Sequence, residues 1–239
     1  MKAMILAAGL GTRLRPLTDD RPKALVEIAG RTLLEITLAR LRSFGIQEVV
    51  VNVHHFADMV VEYLRANANF GMQIQISRED LLLDTGGGLK KASWFLSDSD
   101  PFILHNVDVL STIDLDQMMR FHNEQQALAT LAVQSRETSR YLLFNDHGEL
   151  CGRRSKPDLK DELVRPSSPL RALAFSGIHV ISPRIFSLMS EDGVFSIIPA
   201  YLRLAGLGKR ILAFRSDEYD WRDLGRLESL TRAAEDSQP

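Results

Sequence analysis

Residues 1–25, MKAMILAAGLGTRLRPLTDDRPKAL, decide how the rest of the chain is read. Met1 to Leu6 is a short apolar run suited to a buried parallel strand. Ala7-Ala8-Gly9-Leu10-Gly11 follows at once, and small residues after a strand let backbone pass close to a ligand. Successive free N–H groups in such a turn form a concavity that favours phosphate oxygens. Arg13, Arg15 and Lys23 then place three positive charges in one loop, stiffened by Pro16 and Pro22. A strand, a small-residue turn and a rigid basic loop point to a polyphosphate site. The alternative is a tight turn followed by a solvated basic loop. The spacing is neither the three-glycine dinucleotide fingerprint nor a P-loop, which ends in Gly-Lys-Ser/Thr.

Working outward, strand-like and helix-like stretches alternate. Thr32 is placed to cap a helix over 33–44, with Leu34, Leu38, Leu41 and Phe44 at helical spacing and Gly45 closing it. Residues 48–53 read as a central strand, 57–66 as a helix, 72–77 as a strand, 86–95 as a helix and 102–106 as another buried strand. That alternation predicts an α/β fold, a three-layer α/β/α Rossmann-like arrangement around a mostly parallel mixed sheet. The second half is less regular. It predicts a helix over 116–125, a strand over 128–134 and a hairpin over 141–150 turned at Asp146-His147-Gly148. Residues 152–171, polar and with three prolines, read as a long surface loop. A strand over 172–181, a helix from Pro183, a helix over 197–205, short strands over 211–214 and 218–221 and a closing helix over 226–234 complete the reading. No repeat or linker divides the chain. One domain over 1–235 is expected, with two functional halves, 1–112 and 113–235.

With 45% hydrophobic and 25% charged residues among 239, the composition is that of an ordinary globular chain. A net charge of -2 gives no basic field, so nucleic acid is not an expected partner. Cys151 is the only cysteine, which excludes an internal disulfide and a cysteine-based zinc site. No apolar run approaches the ~18 to 20 residues needed to cross a bilayer, and the first residues lack a cleavable signal pattern. A cytoplasmic protein without a membrane partner is expected.

In open α/β sheets ligands bind beyond the carboxyl ends of the strands. Asp108 follows one such end, in His105-Asn106-Val107-Asp108. A carboxylate beside a polyphosphate would serve to hold Mg²⁺; the other reading is an aspartate capping the next turn. Asp84-Thr85-Gly86-Gly87-Gly88 offers close backbone approach before a helix, or a plain flexible turn. His54, His55, His122 and His147 have no metal-ligand spacing and read as structural or exposed.

The run from Leu6 through Thr18, with Pro22-Lys23 beyond it, resembles the signature of the sugar-1-phosphate nucleotidylyltransferases. The resemblance spans nearly the whole chain and is densest at its start. It implies Mg²⁺ ligands at Asp108 and at Asp223, in Trp221-Arg222-Asp223-Leu224-Gly225. Val107 stands where the family usually has glycine, and Arg226 where it commonly has threonine. The resemblance further implies Arg13, Lys23 and Asp108 as catalytic groups, and substrate contacts from Leu6, Ala8, Gly9, Gly11, Thr12, Thr85, Gly86 and Asn106. On the sugar side it implies Gly152, Lys156 and Gly177, although Arg153, Arg154 or Lys156 could each face the sugar phosphate. The implied reaction joins a nucleoside triphosphate and a sugar 1-phosphate into a nucleoside-diphosphate sugar, releasing pyrophosphate. Cytidylyl transfer to phosphocholine or a polyol phosphate, and a nucleotide-sugar sensor without turnover, are the competing readings. Within the family, the short chain and the Thr-Gly-Gly-Gly segment look most like bacterial transferases acting on N-acetylmuramate, mannose or heptose 1-phosphate. The chain is expected to lack the acyltransferase domain that some members append.

Overall fold

Strand β1 (Lys2–Leu6) is apolar from Ala3 onward because both of its faces are covered: Ala3 and Ile5 enter one buried cluster, Met4 the other. The computed structural model describes residues 1–98, 100–155 and 160–235. After β1 the glycine turn leads through two 3-10 turns, Thr12–Leu14 and Lys23–Leu25, to a small ladder of β2 (Glu27–Ile28) and β3 (Arg31–Thr32). Helix α1 (Leu33–Ser43) starts where expected, with the Thr32 hydroxyl accepting from the Glu35 N–H at 3.0 Å. Gly45 ends it at φ +72°, a conformation that favours glycine. There follow β4 (Glu48–Val53), α2 (Ala57–Ala66), β5 (Gln73–Arg78), α3 (Asp84–Lys91), the short α4 (Ser93–Leu96) and β6 (Phe102–Asn106). Strands β5, β4, β1 and β6 lie side by side and parallel, in the order expected of a Rossmann-like half.

The second half continues the same sheet. It contains β7 (Val109–Ser111), α5 (Leu115–Glu124), β8 (Ala129–Gln134), β9 (Arg140–Phe144), β10 (Leu150–Ser155), β11 (Lys160–Leu163), β12 (Arg171–Ile181), α6 (Ile197–Gly206), β13 (Ile211–Arg215), β14 (Trp221–Asp223) and α7 (Leu227–Glu235). The long β12 pairs antiparallel with β6 through its carboxyl half and with β9 through its amino half. It thereby joins the parallel core to an arm of β9, β10 and β11. Helices α1, α2, α5 and α7 bury leucines, valines and methionines on one face of the sheet, while α3, α4 and α6 cover the other. The result is three layers.

Three expectations need correction. The supposed loop over 152–171 contains the end of β10 and all of β11, paired Arg153 to Glu162 and Arg154 to Asp161. This arm is stabilised by matched charges across the strands, which leave no apolar alternation in the sequence. The segment from Pro183 forms only a 3-10 helix to Leu188, and the strand expected over 218–221 lies instead at β14. Among the described residues, no helix is long and apolar enough to cross a membrane.

Candidate active site

The glycine turn at the carboxyl end of β1 is pinned from the neighbouring strand: the Ala7 N–H donates to Asn52 Oδ1 at 2.7 Å. Gly11 has φ +67°, and a Cβ there would lie 2.9 Å from Thr18 and 3.1 Å from the Lys23 Cβ. The loop thus folds back on Gly11, and the Thr18 hydroxyl donates to its carbonyl at 2.9 Å. That fold returns Lys23 to the turn. Nothing stands within 4 Å of where a Gly9 Cβ would be, so this backbone is open for close approach. Thr12 opens the first 3-10 turn and is exposed. Arg13 points toward the acids described below, whereas Arg15 turns to Asp19 at 3.3 Å in solvent.

Asp108 follows β6, and Lys23 Nζ makes a short ion pair with its Oδ2. Both side chains are largely buried, at 12% and 14% exposure, so neither charge is quenched by water as a surface pair would be. Asp223 arrives from far along the chain because β14 pairs with β7, setting Asp223 opposite Val109. The Leu224 N–H donates to the Asp108 carbonyl at 2.8 Å, and the Gly225 N–H to Asp223 Oδ1 at 2.8 Å. Arg13 Nη1 lies 3.9 Å from Asp223 Oδ2.

Gly225 is the centre of this arrangement. A Cβ on it would sit 2.8 Å from each of Arg13 Nη2, Asp108 Oδ2 and Asp223 Oδ1. A carboxylate from mid-chain, another from near the carboxyl end and a guanidinium from near the amino end therefore converge on a point that only glycine leaves free. The carboxylates fit a magnesium ion by chemistry: both are hard oxygen donors, and such ions are held by one or two carboxylates plus substrate phosphates. Among the described residues no group of three or more His, Cys, Asp or Glu side chains could hold a metal. Substrate oxygens would have to complete the coordination. Val107, in place of the family's glycine, packs into the core at 3% exposure and also lines the cleft.

Beside the acids opens a cleft of about 380 Å³. Leu6, Ala8, Gly9, Lys23, Asn106 and Asp108 line it, together with Asn52, Glu79, Leu82, Asp84, Thr85 and Val194. Glu79 was missed by the sequence reading. It is buried at 4% exposure, with Oε1 accepting from Asn52 Nδ2 at 2.8 Å and Oε2 from the Leu83 N–H at 2.9 Å. Its position just after β5, at the same sheet edge as Asp108, was a usable signal. Gly86 follows Thr85 of the cleft lining; its N–H donates to the Phe195 carbonyl at 2.9 Å and a Cβ there would strike the Phe195 ring.

On the other flank, Gly177 has φ +75°, and a Cβ there would lie 2.9 Å from Asn106 Nδ2 and from Val109. The glycine thus lets β12 bend close to Asn106. Gly152 lies in the β10–β11 ladder opposite Leu163, with no room for a side chain. Arg153 and Arg154 are bound to Glu162 and Asp161. Lys156 lies outside the described residues. Arg136, also unforeseen, stacks its guanidinium 3.7 Å over the Trp221 ring and donates to the Phe175 carbonyl at 2.7 Å. Burial pulls its pKa below the ordinary arginine value, with the Asp223 charge acting the other way. Beneath the site, burial pushes His105 down to about 4 and His179 down to about 3, so both are neutral. His179 Nδ1 is 3.0 Å from the Tyr201 hydroxyl. The expected structural role of His122 fits its burial and its 3.0 Å bond to Thr130.

A protein-family model described as nucleotidyl transferase matches residues 2–238. The chain is 38% identical over 216 residues to N-acetylmuramate alpha-1-phosphate uridylyltransferase of Caulobacter vibrioides, covering 87% of this chain and 85% of that protein. It is 30% identical over 249 residues to a UTP--glucose-1-phosphate uridylyltransferase of Synechocystis, covering 98% of this chain and 62% of that one. In fold it is similar to HddC from Yersinia pseudotuberculosis complexed with GMP-PN, with a TM-score of 0.77, 22% identity and 99% of each chain covered. A UDP-glucose pyrophosphorylase complexed with UDP-glucose gives a TM-score of 0.79 at 20% identity, covering 98% of this chain and 97% of that one.

Proposed function

The chain belongs to the nucleotidyl transferase family, and from that premise we propose which of its groups carry the transfer and which sugar it takes. It is an enzyme that moves a nucleoside monophosphate from a nucleoside triphosphate to a sugar 1-phosphate, releasing pyrophosphate. An oxygen of the sugar phosphate bonds to the α-phosphorus while the bond from that phosphorus to the pyrophosphate oxygen breaks. The nucleophile is already an anion, so no general base is needed. The barrier lies in bringing two anions together, and positioning and fixed charge lower it.

Lys23 is assigned to the α-phosphoryl group and Arg13 to the departing pyrophosphate. In the free protein each faces an acid, Asp108 and Asp223 respectively, so both are held near the reaction point before substrate arrives. The backbone of Ala8, Gly9 and Gly11 and the start of the 3-10 turn at Thr12 would take phosphate oxygens. Leu6, Asn106, Thr85 and Gly86 belong to the nucleoside side, and Gly177 and Gly152 shape the sugar side. Members of the family typically use a divalent metal, Mg²⁺. Here Asp108 and Asp223 would hold it, and the ion would neutralise phosphate charge as the transfer proceeds. Residues 1–112 accordingly serve mainly the nucleotide and 113–235 mainly the sugar phosphate.

For the substrate, N-acetylmuramate 1-phosphate is the reading favoured by the two relatives of that activity, 38% and 32% identical over most of both chains. The observation that carries the mechanism is the convergence of Arg13, Asp108 and Asp223 around Gly225. Pyrophosphate release should be measured with Mg²⁺, each common nucleoside triphosphate and a panel of sugar 1-phosphates, including N-acetylmuramate, mannose, glucose and heptose. Turnover is expected to be fastest with N-acetylmuramate 1-phosphate. Preference for a neutral sugar would refute the substrate assignment, and phosphocholine or polyol phosphate as sole acceptor would refute the sugar.

A further inference from the structure

The Thr85-Gly86-Gly87-Gly88 segment has little of its bonding capacity free for a ligand. The Gly86 and Gly87 N–H groups both donate to the Phe195 carbonyl, at 2.9 and 3.1 Å. The Thr85 hydroxyl accepts from the Ile197 N–H at 3.0 Å, and the Leu83 carbonyl accepts from the Phe195 N–H at 3.1 Å. Any Cβ on Gly86 would strike the Phe195 ring, and one on Gly87 would strike the Gly193 carbonyl. The small residues thus form a socket for a loop of the second half. Lys90 and Arg203 complete the grip. Lys90 Nζ donates to Asp192 Oδ1 at 2.6 Å, and Arg203 takes both Glu191 oxygens at 2.7 and 2.8 Å.

Glu191, Asp192, Gly193, Phe195 and Ile197 are therefore each tied down. Val194 is the residue between them whose side chain turns into the cleft, 55% exposed, beside Leu82, Asp84 and Thr85. An exposed β-branched apolar side chain on a tightly held loop is a preorganised wall, because the ordering cost is met before anything binds. Leu6 and Ala8 line the same cleft. A flat, apolar-faced ligand group suits a lining of this kind, to which Asp84 and Glu79 add acceptor oxygens.

We infer that Val194 is a specificity-determining residue: it forms the nucleobase wall contributed by the second half, and its size sets which bases fit. This rests on the nucleotidyl transferase reading of the same cleft. A wider side chain should exclude the two-ring purines before the one-ring pyrimidines, and a smaller one should loosen the grip on every base. Neither change should alter binding of the phosphates, whose cations come from the opening loop.

The test is calorimetric binding of UTP, CTP, GTP, ATP and inorganic pyrophosphate, each with Mg²⁺, to the wild-type chain and to Val194→Trp and Val194→Ala. Val194→Trp is expected to weaken the purine triphosphates relative to the pyrimidine ones by roughly tenfold or more. Val194→Ala should weaken all four by a few-fold, and pyrophosphate should bind all three proteins alike. Because the side chain is exposed, neither change burdens folding; Lys90→Ala, which loosens the loop from beneath, should act like Val194→Ala. Unchanged triphosphate affinities in all variants, or a loss shared equally by pyrophosphate, would overturn the inference while leaving the transferase reading intact. A wild-type chain that binds pyrophosphate and no triphosphate would overturn both.

Discussion

Lys23 and Gly225 carry the sharpest expectations at the scale of single residues. Lys23 is paired with Asp108 at a largely buried position, so it is held beside the site until a phosphoryl group competes for its charge. Replacing it with alanine should lower turnover by ~10²-fold or more, as loss of a fixed transition-state partner does. Pyrophosphate release at near wild-type rate would remove Lys23 from the reaction. Gly225→Ala adds one methyl group 2.8 Å from each of three functional atoms. Displacing them by a fraction of their spacing should cost roughly 10²-fold in kcat. The fold should persist, because the three neighbours are side-chain ends. Circular dichroism with kinetics on the purified variant decides this: normal turnover would mean that the acids do not act from where they lie. Asp108→Asn should also abolish the response of rate to Mg²⁺ concentration, and an unaltered response would exclude Asp108 as ligand.

At the scale of elements, the socket between α3 and the loop before α6 sets the clearest cost. Gly86→Ala forces a Cβ into the Phe195 ring and its carbonyl, an overpacked position expected to destabilise by about 1–3 kcal/mol. A urea titration showing no loss would mean that the loop yields freely. These packing relations explain what the sequence could and could not reveal. Helix α1 was legible because Thr32, Gly45 and a leucine stripe all mark it, and β4 because four of its six residues are valines. The β10–β11 arm was not, since Arg153, Arg154, Asp161 and Glu162 look like solvated charge until their partners across the ladder are seen. Arg13, Lys23, Asp108 and Asp223 stood out as charged positions in patterned segments. Glu79, Arg136 and Val194 did not, because each matters only through the element folded beside it. The glycines of 86–88 mark a close backbone approach in the sequence, but that Phe195, Gly193, Asn52 and Glu79 make it is visible only in the fold.

At the scale of the whole molecule, the sheet runs without interruption through both halves, and two neutral histidines lie inside it. His105 and His179 occupy neighbouring strands β6 and β12, while His122 is a buried residue of α5. Burial lowers His105 and His122 to about 4 and His179 to about 3, from an ordinary value of 6.5. Between those values the unfolded chain binds protons that the folded chain refuses, so stability must rise with pH there. The contribution is complete above pH 6.5 and is lost progressively as pH falls toward about 4. Each fully shifted group adds a slope of about 1.4 kcal/mol per pH unit. Urea unfolding at pH 7.5, 6.5, 5.5 and 5.0 should show the decline beginning below 6.5, ahead of the range in which ordinary carboxylates titrate. A flat profile from 6.5 to 5.0 would show that these imidazoles accept protons in place.

The stack of Arg136 on Trp221 has an optical consequence. Trp221 is held by its indole N–H, which donates to the Ser176 carbonyl at 2.7 Å, and lies two residues before Asp223 on the same strand. The chain's other tryptophan, Trp94, is 60% exposed beside Phe95, whose carbonyl meets Lys2 at the opposite end of β1. Fluorescence from Trp221 is therefore a native gauge of occupancy at the acids, and Trp94 a reference that the same titration should leave dark to the event.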